Sequence, residues 1–182
     1  MLKIRNIIKK IQKLFLLKLG NNKKVIKYWQ KKGAKIGENC TIYGNVNFGS
    51  EPFLIEIGNN VKITSNVNFI THDGGVHTIR NKYLEHDADL FGKIKVGNNV
   101  FIGYNVLILP GVTIGDNTIL GAGSVVTKDV RNNAVYAGIP AKFICTIDEY
   151  YKKNKPYLEY TKKMESEEKK DYLENKYKLK VK

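Results

Sequence analysis

The stretch FITHDGGVHTIR, residues 69–80, holds two of the chain's three histidines, His72 and His77, with Asp73 and a Gly-Gly pair between them. An imidazole changes protonation near neutral pH. Displayed on a loop, it can take a proton from a hydroxyl and hand it to a leaving group. A carboxylate beside it can orient the ring, and Asp73 is the neighbour in sequence. Read without chemistry, the same residues make a solvated turn. His77 and His86 read as ordinary loop residues, and Glu85, Asp87 and Asp89 as solvated acids. Neither Cys40 nor Cys145 belongs to a C-x-x-C pair, so both read as thiols of a reducing compartment.

The elements that must hold these residues repeat with a period of six. Val96, Ile102, Ile108, Ile114, Leu120 and Val126 keep one frame. Four residues after each comes a small or β-branched side chain: Val100, Val106, Val112, Thr118, Ser124 and Val130. An α-helix would need spacings of three and four. A period of six fits short strands and turns stacked as a solenoid, an all-β fold class. Ile36, Ile42 and Phe48 keep the same frame; it slips by three residues, then resumes at Ile57, Ile63 and Phe69. Three hexapeptides make one triangular coil, so residues 34–140 should wind four to five coils, with Gly at corners for tight backbone angles and Asn as turn chemistry. Residues 70–95 break the frame again. They form an excursion that begins at the histidine stretch.

Charge separates the chain into parts. Residues 1–35 carry eleven Lys, one Arg and no acid, whereas residues 36–146 carry eight basic and nine acidic groups. A near-neutral body argues against a nucleic-acid partner, which needs a basic face on the fold itself. Residues 1–33 read as a basic helical segment. Ile4, Ile7, Ile8, Ile11, Leu14 and Phe15 share one helical face, and a second helical piece, KKVIKYWQKKG, stops at Gly33. Two roles stand open for this segment: peripheral contact of residues 1–32 with an anionic membrane, or a cap over the first coil. Residues 147–182 form a charged, Tyr-rich helical tail. A helix is expected over SEEKKDYLENKYK, with Ser166 as its N-cap. No run of 18 apolar residues appears, and the N-terminus lacks the pattern of a signal peptide.

The motifs IGNNVKI, VGNNVFIGYNVLILPGVTIGDNTILGAGSVVTKDV and VYAGIPAK make residues 34–146 resemble the hexapeptide-repeat acyltransferases. The likeness is nearest to the galactoside and maltose O-acetyltransferase branch and to relatives that acetylate surface polysaccharides. The resemblance implies a left-handed parallel β-helix, a homotrimer with sites between subunits, and acetyl-CoA as co-substrate with no metal. It implies transfer to a sugar or glycan hydroxyl in a ternary complex in the cytoplasm, at the inner face of the membrane if the basic segment binds lipid. His72 occupies the place of the family's general base. YGNVN resembles a Tyr-x-Asn-x-Asn segment and puts Asn45 at an acceptor position. The matched register puts Ala122 and Thr127 along the pantetheine arm and Lys128 and Lys142 near the phosphates. Phe101 replaces a tryptophan common in the family, and Tyr104 a smaller residue.

Three other readings compete. An amino sugar would make the product an N-acetyl group. The γ-class carbonic anhydrases share the β-helix and use three histidines on zinc, and His72 and His77 have a matching gap; that site needs a further histidine upstream, and none precedes residue 72. A non-catalytic β-helix scaffold is the third.

Overall fold

A computed structural model describes residues 22–43 and 45–179. The predicted helical face over residues 2–17 lies outside them. The chain divides into two compact units, Met1–Asp148 and Glu149–Lys182.

In the first unit the period of six becomes three parallel sheets. The first face stacks β1 (Lys35–Ile36), β3 (Ile55–Ile57), β6 (Ile94–Val96) and β9 (Thr113–Ile114). The second stacks β2 (Thr41–Ile42), β4 (Lys62–Ile63), β7 (Phe101–Ile102), β10 (Ile119–Leu120) and β12 (Ala134–Ala137). The third stacks β5 (Asn68–Phe69), β8 (Leu107–Ile108) and β11 (Val125–Val126), with Asn47 bridged to Asn68 beneath them. The chain visits the faces in cyclic order and pairs each strand with its counterpart one coil on. The frame residues point inward and stack: Ile36, Ile57, Val96 and Ile114 on one face, Ile42, Ile63, Ile102 and Leu120 on the next, Phe48, Phe69, Ile108 and Val126 on the third, all buried. Alternate side chains of a strand face opposite ways, so one inward residue per two-residue strand suffices.

The corners divide labour between Gly and Asn differently from the expectation. Gly58 and Gly97 are needed for close approach: a Cβ at Gly58 would overlap the Gly97 carbonyl of the next coil. At the corner between first and second faces the left-handed residues are asparagines, with φ of 57° at Asn60, 54° at Asn99 and 52° at Asn117, whereas at other corners Gly111 and Gly123 take that region, as expected of Gly. Asn tolerates that region because its short amide can bond locally. Here the amides also form a ladder, Asn99 Nδ2 donating to Asn117 Oδ1 at 2.8 Å and Asn117 Nδ2 to Asn133 Oδ1 at 2.9 Å.

Both ends of the stack are closed. Helix α1 (Asn22–Lys31) buries Val25 and Trp29 against the first coil, where Trp29 stacks on Phe48 at 4.6 Å between ring centroids. Asn22 caps the edge of β2, donating to the Cys40 carbonyl at 2.8 Å and accepting from the Ile42 amide at 2.7 Å. Gly33, at φ 97°, lets the chain turn from α1 into β1. Of the two roles open for the basic segment, the described part takes the cap. At the far end β12 pairs antiparallel with β13 (Lys142–Thr146), which ends the parallel stacking.

Within the excursion the chain forms α2 (Val76–Tyr83), a helix that places His77 on regular structure rather than in a loop. Helix α3 (Ile147–Asn154) spans the boundary between the two units. The second unit contains α4 (Ser166–Lys176), where Glu165, not Ser166, takes the cap position. Tyr172 and Lys176 both bond Glu159 there.

Candidate active site

His72 sits where the chain leaves the third face. β5 ends at Phe69, Thr71 is fully buried, and the His72 side chain is 48% exposed. The excursion's two ends zip together there: the Asp73 amide donates to the Leu90 carbonyl at 2.8 Å and the Gly92 amide to the Thr71 carbonyl at 2.9 Å. Gly92 has no room for a side chain, since a Cβ would overlap Pro110 and Gly111 of the next coil. The returning strand therefore lies flat on the coil and fixes the backbone that carries the imidazole. The Phe91 ring, half exposed, stands edge-on to the imidazole at 6.4 Å.

The carboxylate that faces the ring is Glu51. Its Oε2 lies 3.0 Å from His72 Nδ1 and accepts the Thr71 hydroxyl at 2.6 Å. The Ser50 hydroxyl is 3.5 Å from the same nitrogen. The Thr71 hydroxyl, then His72 and Ser50, hold the Glu51 carboxyl below its ordinary range, against the opposing effect of desolvation. Glu51 is therefore ionised at neutral pH and can only accept, so Nδ1 is the donor of this bond and, in the neutral imidazole, the lone pair is left on Nε2. That is the form a general base needs.

Asp73 does not orient the ring. Its Oδ1 accepts the Gly75 amide at 2.7 Å, a local turn bond that leads into α2. His77 faces Asn81 one turn along α2, Nε2 to Nδ2 at 3.2 Å, and Arg80 pairs with Asp89. Among the described residues no three His, Cys, Asp or Glu side chains converge as a metal site would require.

Glu51 is the residue the sequence reading missed. Its signal was the three-residue slip between Phe48 and Ile57: the additional residues form the single 3-10 turn Pro52–Leu54, and Glu51 stands at its start, with its carbonyl accepting the Leu54 amide at 3.0 Å. A frame slip shows that something bulges; only the stacking of coils shows toward what.

The remaining candidates fall on different edges of the prism. Thr127 and Lys128 lie on the edge between third and first faces, the edge that carries His72, two coils further along, and both are exposed. Tyr104, Ala122 and Asn45 lie on the edge between second and third faces. Asn45, at φ 64°, stacks in line with the left-handed Asn66 and Asn105. Within one chain the width of the third face, about 15 Å at ~3.3 Å per residue, separates Asn45 from the Glu51–His72 pair. Phe101 is 39% exposed on β7, and Lys142 opens β13. The Tyr104 hydroxyl accepts the Asn66 amide at 2.6 Å. A Cβ on Gly103 would overlap Ala122, so this edge is kept smooth.

Residues 93–128 match the family model of the bacterial transferase hexapeptide, six repeats. Protein CapG of Staphylococcus aureus is 51% identical over 170 residues, which cover 92% of this chain and 97% of that protein. Two solved structures share the architecture. The maltose O-acetyltransferase of Clostridium difficile 630 superposes with a TM-score of 0.60 at 29% identity, covering 80% of this chain and 87% of that one. A galactoside acetyltransferase in complex with coenzyme A gives a TM-score of 0.57 at 28% identity, covering 80% and 82%. With its repeat frame, its three parallel faces and a relative matched over nearly its full length, the chain belongs to the hexapeptide-repeat acetyltransferase family.

Proposed function

We propose that this protein transfers the acetyl group of acetyl-CoA to a hydroxyl of a sugar or glycan, with His72 as general base. The observation that carries the reading is the Glu51–His72 bond, which engages Nδ1 and leaves Nε2 of the neutral ring as the proton acceptor, on a side chain half exposed at an edge of the fold. Nε2 takes the proton of the acceptor hydroxyl, the hydroxyl oxygen bonds to the acetyl carbon, and the proton passes to the departing CoA thiolate. Glu51 is a positioning residue that also stabilises the imidazolium formed on the way. The names of the solved relatives, a maltose O-acetyltransferase and a galactoside acetyltransferase with coenzyme A, support a sugar acceptor and a CoA donor. Family membership supports a left-handed β-helix. The donor is made inside cells, so the reaction belongs on the cytoplasmic side.

The split of candidates between two edges supports a homotrimer. When the edge carrying His72, Thr127 and Lys128 faces a neighbour's edge carrying Asn45, Tyr104 and Ala122, one groove receives both sets. In that groove Thr127 and the smooth Gly103–Ala122 wall suit the pantetheine arm, Lys128 and Lys142 suit phosphates, and Asn45 suits the acceptor.

His72→Ala should lower kcat by about 10²–10⁴-fold, the usual share of a general base, while acetyl-CoA still binds. Free-thiol release with sugar acceptors measures the first and calorimetry the second. Turnover equal to the parent's would overturn the reading.

A further inference from the structure

Helix α1 carries two opposed faces. Val25 and Trp29 are buried against the first coil at 2% and 3% exposure. Lys23, Lys27 and Lys31 recur every four residues on the opposite side, with Lys24 beside them, and all four are exposed. Neither α1 nor residues 1–35 as a whole contain an acid, whereas residues 36–146 are close to neutral. The positive charge of α1 is thus presented at the first-coil end of the stack, on the face turned away from it. The sequence before α1, residues 1–21, adds five Lys and one Arg together with Ile4, Ile7, Ile8, Ile11, Leu14 and Phe15.

We infer that this first-coil end docks on an anionic lipid surface. Docked against the core, Val25 and Trp29 cannot insert into a bilayer, so α1 contributes charge; the apolar residues that precede it supply what burial among acyl chains requires. A nucleic acid would complement the lysines but gives no use to six large apolar residues at regular spacing. The docking stands independently of the proposed acetyl transfer. If both hold, the acceptor is glycan borne near a membrane.

Sedimentation of the full chain with vesicles tests it. Vesicles of phosphatidylcholine with 30% phosphatidylglycerol should pull the protein down at low salt, those of pure phosphatidylcholine should not, and salt should weaken the binding. The triple variant Lys23→Gln/Lys27→Gln/Lys31→Gln keeps helix propensity and touches nothing in the proposed active site. At roughly fivefold per lysine it should partition about 100-fold more weakly, with circular dichroism and acetyl transfer unchanged. No sedimentation with anionic vesicles, or a triple variant that binds as the parent does, would overturn the inference. So would release of the parent from vesicles by duplex DNA at equal phosphate concentration, which would reassign the surface to nucleic acid.

Discussion

Replacing Glu51 with Ala tests whether the carboxylate or the histidine's neighbour in sequence prepares the base. The variant removes one charge-assisted bond of 3.0 Å to His72 Nδ1 and leaves, among the described residues, the Ser50 hydroxyl at 3.5 Å and the edge-on Phe91 ring beside the imidazole. Such bonds contribute about 1.5–3 kcal/mol. This one strengthens as the imidazole takes a proton, so most of its loss appears in the transition state rather than in binding. At about 1.4 kcal/mol per tenfold, kcat should fall roughly 10–150-fold, with KM for both substrates little changed. Glu51→Gln retains an acceptor without the charge and should lie between parent and Ala variant. The assay is thiol release under saturating substrates. Thr71→Val is the control, because Glu51→Ala also orphans the buried Thr71 hydroxyl. An unsatisfied buried hydroxyl costs about 1–3 kcal/mol of stability and so lowers Tm on its own. Thr71→Val should change kcat far less than Glu51→Ala. The reasoning fails if Glu51→Ala turns over within threefold of the parent, or if Asp73→Ala causes the larger loss.

Two further outcomes follow from the packing and the charges. Phe48→Ala removes a fully buried ring held between Trp29 and Phe69, so denaturant unfolding should report a loss of about 3–5 kcal/mol. Glu56 is held at about 2, against an ordinary 4.5, first by Lys35 at 2.8 Å and then by Lys93 at 2.7 Å. Its folded value lies below the unfolded one, so its stabilisation is present above about pH 4.5 and fades as pH falls toward 2. Glu56→Gln should therefore flatten the acid limb of a Tm-against-pH curve measured at low salt, and added salt should shrink the difference, as for any exposed pair.

The amino-acid order alone determined the rhythm of the fold. Which side chain of a two-residue strand points inward is a local matter, and the same local choice recurs every six residues, so Val96 to Val126 and the earlier frame from Ile36 to Phe69 announce the stacked coils directly. The concentration of charge in residues 1–35, the stop at Gly33 and the departure of the chain at His72 were equally legible. Helix α2 was not, because it buries only Val76 and so shows no apolar stripe. The pairing of His72 with Glu51 was decided by tertiary structure. Neighbours in sequence project in different directions and find local partners, as Asp73 does with Gly75, whereas residues 21 apart meet because one coil lies on the next. The same stacking put Asn45 and His72 on opposite edges of one face, a separation that no spacing along the chain reveals.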